Sequence, residues 1–168
     1  MATVKKPCDC TQRELQDFVS LVLAGGEVTA VGLEDRVKNA QLLVFLTIGG
    51  CLKGIAAAKN PAPSYRRGVF QKAQLSVDDT VFPLELGWVF VLPSSRGAGF
   101  SHTLLGAARS NTCGYGMFAT SRSDNTPMHR TLNAHGFSCQ GTAYASNRGE
   151  HQLKLFVTRD AQLERSSG

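Results

Sequence analysis

Residues 85–108 restrict the fold more than any other part of this sequence, because they pass from strand to glycine loop to helix within one run. Residues 86–92 are apolar apart from Gly87 and rich in β-branched and aromatic side chains, the composition of a buried strand. Residues 93–99 hold a proline, two serines, an arginine and two glycines, which makes a loop. After it Phe100, Leu104 and Ala108 stand at helical spacing. A strand that breaks through glycines into a helix leaves backbone N–H groups open at the positive end of the helix dipole, and that end attracts phosphate. The spacing therefore predicts a pyrophosphate-bearing ligand over residues 96–102.

The rest of the chain supplies elements on either side. Thr11, with Glu14 three residues on, has the pattern of a capping box, and Leu15, Phe18, Val19, Val22 and Leu23 follow on one helical face until Gly25-Gly26. A shorter helix is expected from Gly32, with Leu33, Val37 and Ala40 inward and Glu34, Asp35, Arg36 and Lys38 solvated. Residues 42–48 and 52–59 read as a hairpin around Gly49-Gly50. Residues 64–83 show little periodicity and are expected as a long loop, with at most a short helix. A strand at 115–119, a helix at 128–134 closed by Gly136, and strands near 137–145 and 152–158 complete the order. Front strands paired as hairpins, followed by strands alternating with helices, give an α/β (mixed α+β) fold: a mixed, mostly antiparallel sheet flanked by helices on both faces.

Composition narrows the classes. The 168 residues suit one domain, expected over 11–160, with an N-terminal extension at 1–10 and a polar tail at 161–168. A net charge of +5 favours an anionic partner, but no block of five like charges exists. No apolar run approaches the roughly 20 residues of a membrane span, and nothing at the N-terminus resembles a signal peptide, so a cytoplasmic protein without membrane partners is expected. Five scattered cysteines suit free thiols. Cys8-Asp9-Cys10 lacks a second cysteine pair, and His135 and Cys139 are separated by the helix breaker Gly136, so no metal site is expected.

The central loop excludes several chemistries. It lacks the Gly-x-x-x-x-Gly-Lys-Ser/Thr of a P-loop, and His102 stands where a dinucleotide fingerprint needs a small residue. Neither a Gly-x-Ser-x-Gly elbow nor a His-Glu-x-x-His zinc motif occurs. What remains is Arg96-x-x-Gly99-x-Ser101 after a strand ending Val91-Leu92-Pro93, with Asn125-x-x-Met128 and Gly136-Phe137 downstream. This combination resembles the acyl-coenzyme A loop and the asparagine-containing helix of the Gcn5-related N-acetyltransferase (GNAT) superfamily, over roughly residues 11–158.

The resemblance implies an N-acetyltransferase domain that moves the acetyl group of acetyl-coenzyme A directly to a primary amine. It implies that Val89, Phe90 and Val91 pair with the pantetheine arm where the strand splays at a bulge. Arg96, Gly97, Ala98, Gly99, Phe100, Ser101 and His102 would hold the pyrophosphate, and Asn125 would bond the arm, with Met128 or His129 lining the channel. Two positions depart from the family pattern. Ser101 replaces the loop's last small residue, and Leu132 stands where many members carry a tyrosine acid.

The proton chemistry needs a base and is helped by an acid. Glu85, at the start of the central strand, is the first base candidate, against a reading as a solvent-facing strand end. His129 is the second candidate. Tyr144 and Tyr115 are alternative acids, Cys139 is a weak nucleophile candidate, and Trp88 is a packing residue or a wall of the acceptor pocket. Tyr65, Arg66, Arg67 and Lys72 form a basic and aromatic group suited to an anionic acceptor, with a solvated loop as the plain alternative. The acceptor classes are a small-molecule amine, a peptide or an aminoacyl-tRNA, and a homodimer is compatible with each. An acyl-coenzyme A-binding module without catalysis and a toxin-like modifier directed at nucleic acid are the competing functions.

Overall fold

A computed structural model describes residues 1–158; the expected polar tail lies outside the described residues. Seven strands and five α-helices follow the chain order expected, with one strand and one helix added. The strands are β1 (Ala2–Lys5), β2 (Leu42–Ile48), β3 (Cys51–Lys59), β4 (Leu84–Val91), β5 (Met117–Arg122), β6 (Phe137–Ala145) and β7 (Gln152–Thr158). The helices are α1 (Gln12–Ala24), α2 (Leu33–Lys38), α3 (Pro63–Lys72), α4 (Phe100–Ser110) and α5 (Thr126–Ala134). The strand order is β1-β2-β3-β4-β5-β7-β6. The β1–β2, β2–β3, β5–β7 and β6–β7 pairs are antiparallel, and β4–β5 is parallel. The sheet is thus mixed and mostly antiparallel.

Two compact units share these elements: Met1–Asn60 with Leu86–Cys113, and Pro61–Glu85 with the residues from Gly114 onward. In the first unit the period-2 alternation of β2 and β3 sorts their side chains to two faces. Leu43, Phe45, Ile55 and Ala57 pack with Phe18 and Val22 of α1 and Leu33 and Val37 of α2. On the opposite face Leu46 and Leu104 of α4 meet above Gly54, where a Cβ would lie 3.2–3.4 Å from both. The capping box forms as the sequence predicts. The Thr11 side chain accepts from the Glu14 amide at 3.1 Å, and Glu14 accepts from the Thr11 amide at 2.8 Å. The stretch expected as an extension carries β1, whose residues pair with β2 from Ala2↔Leu46 to Lys5↔Leu43.

In the second unit Phe118, Leu155 and Val157 face α3, packing with Val69, Phe70, Ala73 and Phe82. Phe156 points to the other face, where the His129 ring of α5 lies 4.9 Å from it. Within residues 64–83 the helix α3 is therefore longer than the sequence suggests. Pro63 stands in its first turn, where a missing N–H costs nothing. Its end is a Schellman-type closure with Gln74 left-handed at φ 54° and the Leu75 amide bonded to Phe70 O at 3.0 Å. That position usually holds glycine, so the stop signal is silent in the sequence.

Candidate active site

The site residues named from the sequence fall in both units, and each group stands in its own framework. In the first unit β4 carries an internal kink: Trp88 has φ 51° within an otherwise extended strand. A bulky residue in the left-handed region is rare, and a single such residue bends a strand and removes it from ladder pairing. Contacts hold it there. The Trp88 ring packs edge-on against Phe18 at 6.1 Å, and Lys59 Nζ lies 4.9 Å over its face. Trp88 is thus a packing residue of this unit.

At the end of β4 the Arg96 Nε donates to Val91 O at 3.0 Å, and its guanidinium lies 5.7 Å over the Phe90 ring. The loop is stapled back on its own strand. Gly97 and Gly99 adopt φ 89° and 75°, with open space where a Cβ would stand. Gly99 is the N-cap of α4, and no side chain caps that end. The His102 and Thr103 amides turn back to Gly99 O at 3.1 and 3.3 Å. The amides of Gly97, Ala98, Gly99, Phe100 and Ser101 make no such bond among the described residues. Five consecutive open donors at the start of an 11-residue helix make this a candidate anion site. Its donors end at Ser101, since the His102 amide is engaged.

In the second unit Glu85 is 4 % exposed, so the solvent-facing reading does not hold. It sits beside Phe118 of β5 in the parallel pair. The Tyr65 hydroxyl of α3 donates to Glu85 Oε1 at 3.2 Å. Burial first, then the Glu85 charge, then Tyr144 hold the Tyr65 hydroxyl far above the ordinary phenol value. Tyr144 of β6 is pushed up to about 12 by burial and, second, by the Glu85 charge. Both phenols are therefore acids that keep their protons throughout the neutral range. The sequence offers Tyr144 as an alternative acid and Tyr65 only within a basic–aromatic group. The link from position 65 to position 85 arises from a helix that the pattern did not reveal.

The sign of these shifts gives a prediction. Unfolded tyrosines titrate from 10.0, whereas the native phenols hold their protons to higher pH. The unfolded state thus binds fewer protons above pH 10, and native stability falls as pH rises from there toward about 12. Replacing Glu85 by glutamine removes one cause of both shifts. A spectrophotometric phenolate titration of Glu85→Gln moves to lower pH than wild type; superimposable curves would show that Glu85 does not act on these phenols.

The remaining candidates have other engagements. Asn125 caps α5, its Oδ1 accepting from the Met128 amide at 3.3 Å, while its side-chain NH2 makes no hydrogen bond among the described residues. His129 Nε2 lies 2.8 Å from Arg122 O and, as an N–H, donates to it. Leu132 is buried at 2 % exposure. Tyr115 precedes β5 and is exposed, as are Cys139 and Arg67. Arg66 pairs with Asp79 at 2.8 Å, so it is committed within its own unit. Among the described residues all five cysteines are free, no cluster of His, Cys, Asp and Glu is arranged to hold a metal ion, and no helix is long and apolar enough to cross a membrane.

No protein-family model matches the chain, and no curated protein matches its sequence. Solved structures do match over nearly the full length. An acyl-CoA N-acyltransferase from Pseudomonas aeruginosa aligns with a TM-score of 0.66 at 14 % identity, covering 94 % of this chain and 99 % of that one. The yncA protein of Salmonella typhimurium, solved with its cofactor acetyl-CoA, gives 0.61 at 17 %, covering 94 % and 92 %. Arabidopsis thaliana NAA60, in complex with a bisubstrate analogue, gives 0.64 at 14 %, covering 94 % and 97 %. At these identities the likeness is one of fold.

Proposed function

We propose, from the Gcn5-related N-acetyltransferase fold that this chain has, that it transfers the acetyl group of acetyl-coenzyme A to a primary amine. The observation that carries this reading is the run of five open amides from Gly97 to Ser101 at the start of α4. It fits the pyrophosphate of a coenzyme, and the two left-handed glycines leave space for close approach. The coenzyme would supply an acetyl thioester. Val89 and Phe90, beyond the kink at Trp88, offer backbone to its pantetheine arm, and the Asn125 side-chain NH2 offers a donor. The Val91 carbonyl already accepts from Arg96, which assigns Arg96 to shaping the loop.

Glu85 acts as base. It would accept the proton that the amine loses as its nitrogen bonds to the acetyl carbon and the C–S bond breaks, the coenzyme leaving as its thiolate. The geometry favours Glu85 over His129, because the His129 ring is tied to the Arg122 carbonyl. The acceptor is an amine of a small molecule or peptide. Commitment of Arg66 to Asp79 removes one cation from the group that suggested an aminoacyl-tRNA.

One observation favours a second reading, a coenzyme-binding module without catalysis: buried Leu132 occupies the position of the family's tyrosine acid. Thiol release from acetyl-coenzyme A, measured with spermidine, phenethylamine and a peptide with a free N-terminus, separates the two. Acceptor-dependent release supports the transferase, and its absence with all three supports the module. The cradle itself is tested by Gly99→Glu, which puts a carboxylate among the amides. Coenzyme A affinity by calorimetry falls at least about tenfold, and an unchanged affinity would move the cofactor site elsewhere.

A further inference from the structure

We infer that Tyr65 is a positioning residue, whose hydroxyl fixes the Glu85 carboxylate in the orientation that receives the amine proton. This rests on the reading of Glu85 as base. Tyr65 as a residue is 47 % exposed, while its hydroxyl end is buried enough to raise its pKa. A half-exposed tyrosine ordinarily keeps its rotamer freedom. Here its hydroxyl instead turns inward to Glu85 Oε1 at 3.2 Å, and that bond is the specific attachment of the side chain.

The helix that carries Tyr65 is held so that this reach is set by the backbone. Val69 and Phe70 of α3 are buried in the core of the unit. In the same turn as Tyr65, Arg66 Nε bonds Asp79 Oδ2 at 2.8 Å, with both side chains mostly buried. At the far end Ala73 O accepts from the Thr142 amide at 2.8 Å, across a bulge in β6. Rotation or sliding of α3 would break all of these contacts together. Position 65 is thus fixed at its base, and its hydroxyl is fixed at its tip.

The direction of the bond follows from the chemistry. A carboxylate only accepts, so the phenol donates, and the phenol keeps its proton because burial and the neighbouring charge raise its pKa. One oxygen of Glu85 is thereby held by the phenol. Among the described residues, the titratable groups coupled to Glu85 include Tyr65 from α3 and Tyr144 from β6. From β5 the register neighbour is Phe118, and the next cation on α3, Arg66, is turned to Asp79. Proton transfer to a carboxylate is sensitive to orientation, and misplacement of the order of 1 Å costs up to about a hundredfold in rate.

The test is a double-mutant cycle on the full chain, with thiol release from acetyl-coenzyme A measured on whichever of spermidine, phenethylamine and the free-N-terminus peptide is turned over fastest. Tyr65→Phe keeps the ring and removes only the hydroxyl. It lowers kcat roughly tenfold and leaves the KM for acetyl-coenzyme A unchanged. In a Glu85→Gln background the same substitution adds no further loss, because the group it positions is already gone. Wild-type kcat in Tyr65→Phe overturns the proposal, and so does an equal loss in both backgrounds, which would mark a role independent of Glu85. A wild-type rate in Glu85→Gln overturns the base assignment itself and is read separately from the single Tyr65→Phe result.

Discussion

Glu85→Gln lowers kcat for acceptor-dependent thiol release by about two to four orders of magnitude, the usual contribution of a positioned base. The substitution is nearly isosteric and removes the charge while keeping a hydrogen-bond acceptor for the Tyr65 hydroxyl. Structure around position 85 therefore persists: positions 84 and 85 still pair with Met117 and Phe118, and the open amides at Gly97–Ser101 are unaltered. Coenzyme A affinity consequently stays within a factor of about two. The effect is read from initial rates together with calorimetric titration of coenzyme A. A kcat within about threefold of wild type would remove Glu85 from the chemistry. A matching loss of coenzyme affinity would instead give it a structural role.

Gly141→Ala destabilises the second unit. Gly141 lies in the bulge of β6 with φ 73°, and a Cβ built there would stand 2.2 Å from the Ala73 carbonyl oxygen. Backbone oxygen cannot rotate away as a side chain can, so β6 and the end of α3 must separate. The left-handed conformation costs about 1–2 kcal/mol for a residue with a Cβ, and separation loses the Thr142 amide bond to Ala73 O, worth about 1 kcal/mol. Steric repulsion adds to these, so the loss is about 3 kcal/mol or more. For a chain of this size that corresponds to a fall in Tm of roughly 10 °C. Thermal unfolding followed by circular dichroism measures it, and an unchanged Tm would mean that the bulge does not rest on α3 in solution.

How much of this was legible follows from what each element needs. The capping box at Thr11, the apolar strand at residues 42–48 and the strand–loop–helix at 85–108 announce themselves through local chemistry, and each forms where it is read. The helix α3 does not, because its buried residues Val69 and Phe70 are adjacent rather than spaced by three or four, and its stop is Gln74 rather than glycine. Strand β1 has four residues and gains its identity from pairing with β2, which no local window contains. The backbone turn at Gly97–Gly99, with its left-handed glycines, was readable because glycines encode it. The kink at Trp88 was implied only through the family resemblance, since tryptophan has no preference for φ near 50° and packing against Phe18 imposes it. Glu85 was singled out by its place in the strand, but its tyrosine partner depends on α3.

The staple between Arg96 and the Val91 carbonyl bears on kinetics. A loop whose shape is already fixed by its own strand has no large ordering step to complete when a phosphate arrives. Capture of an anionic ligand at this helix start is then set by diffusion and by the attraction of a chain with net charge +5. Encounter is accordingly sensitive to ionic strength, while the rate of escape is set by the contacts such a ligand makes there.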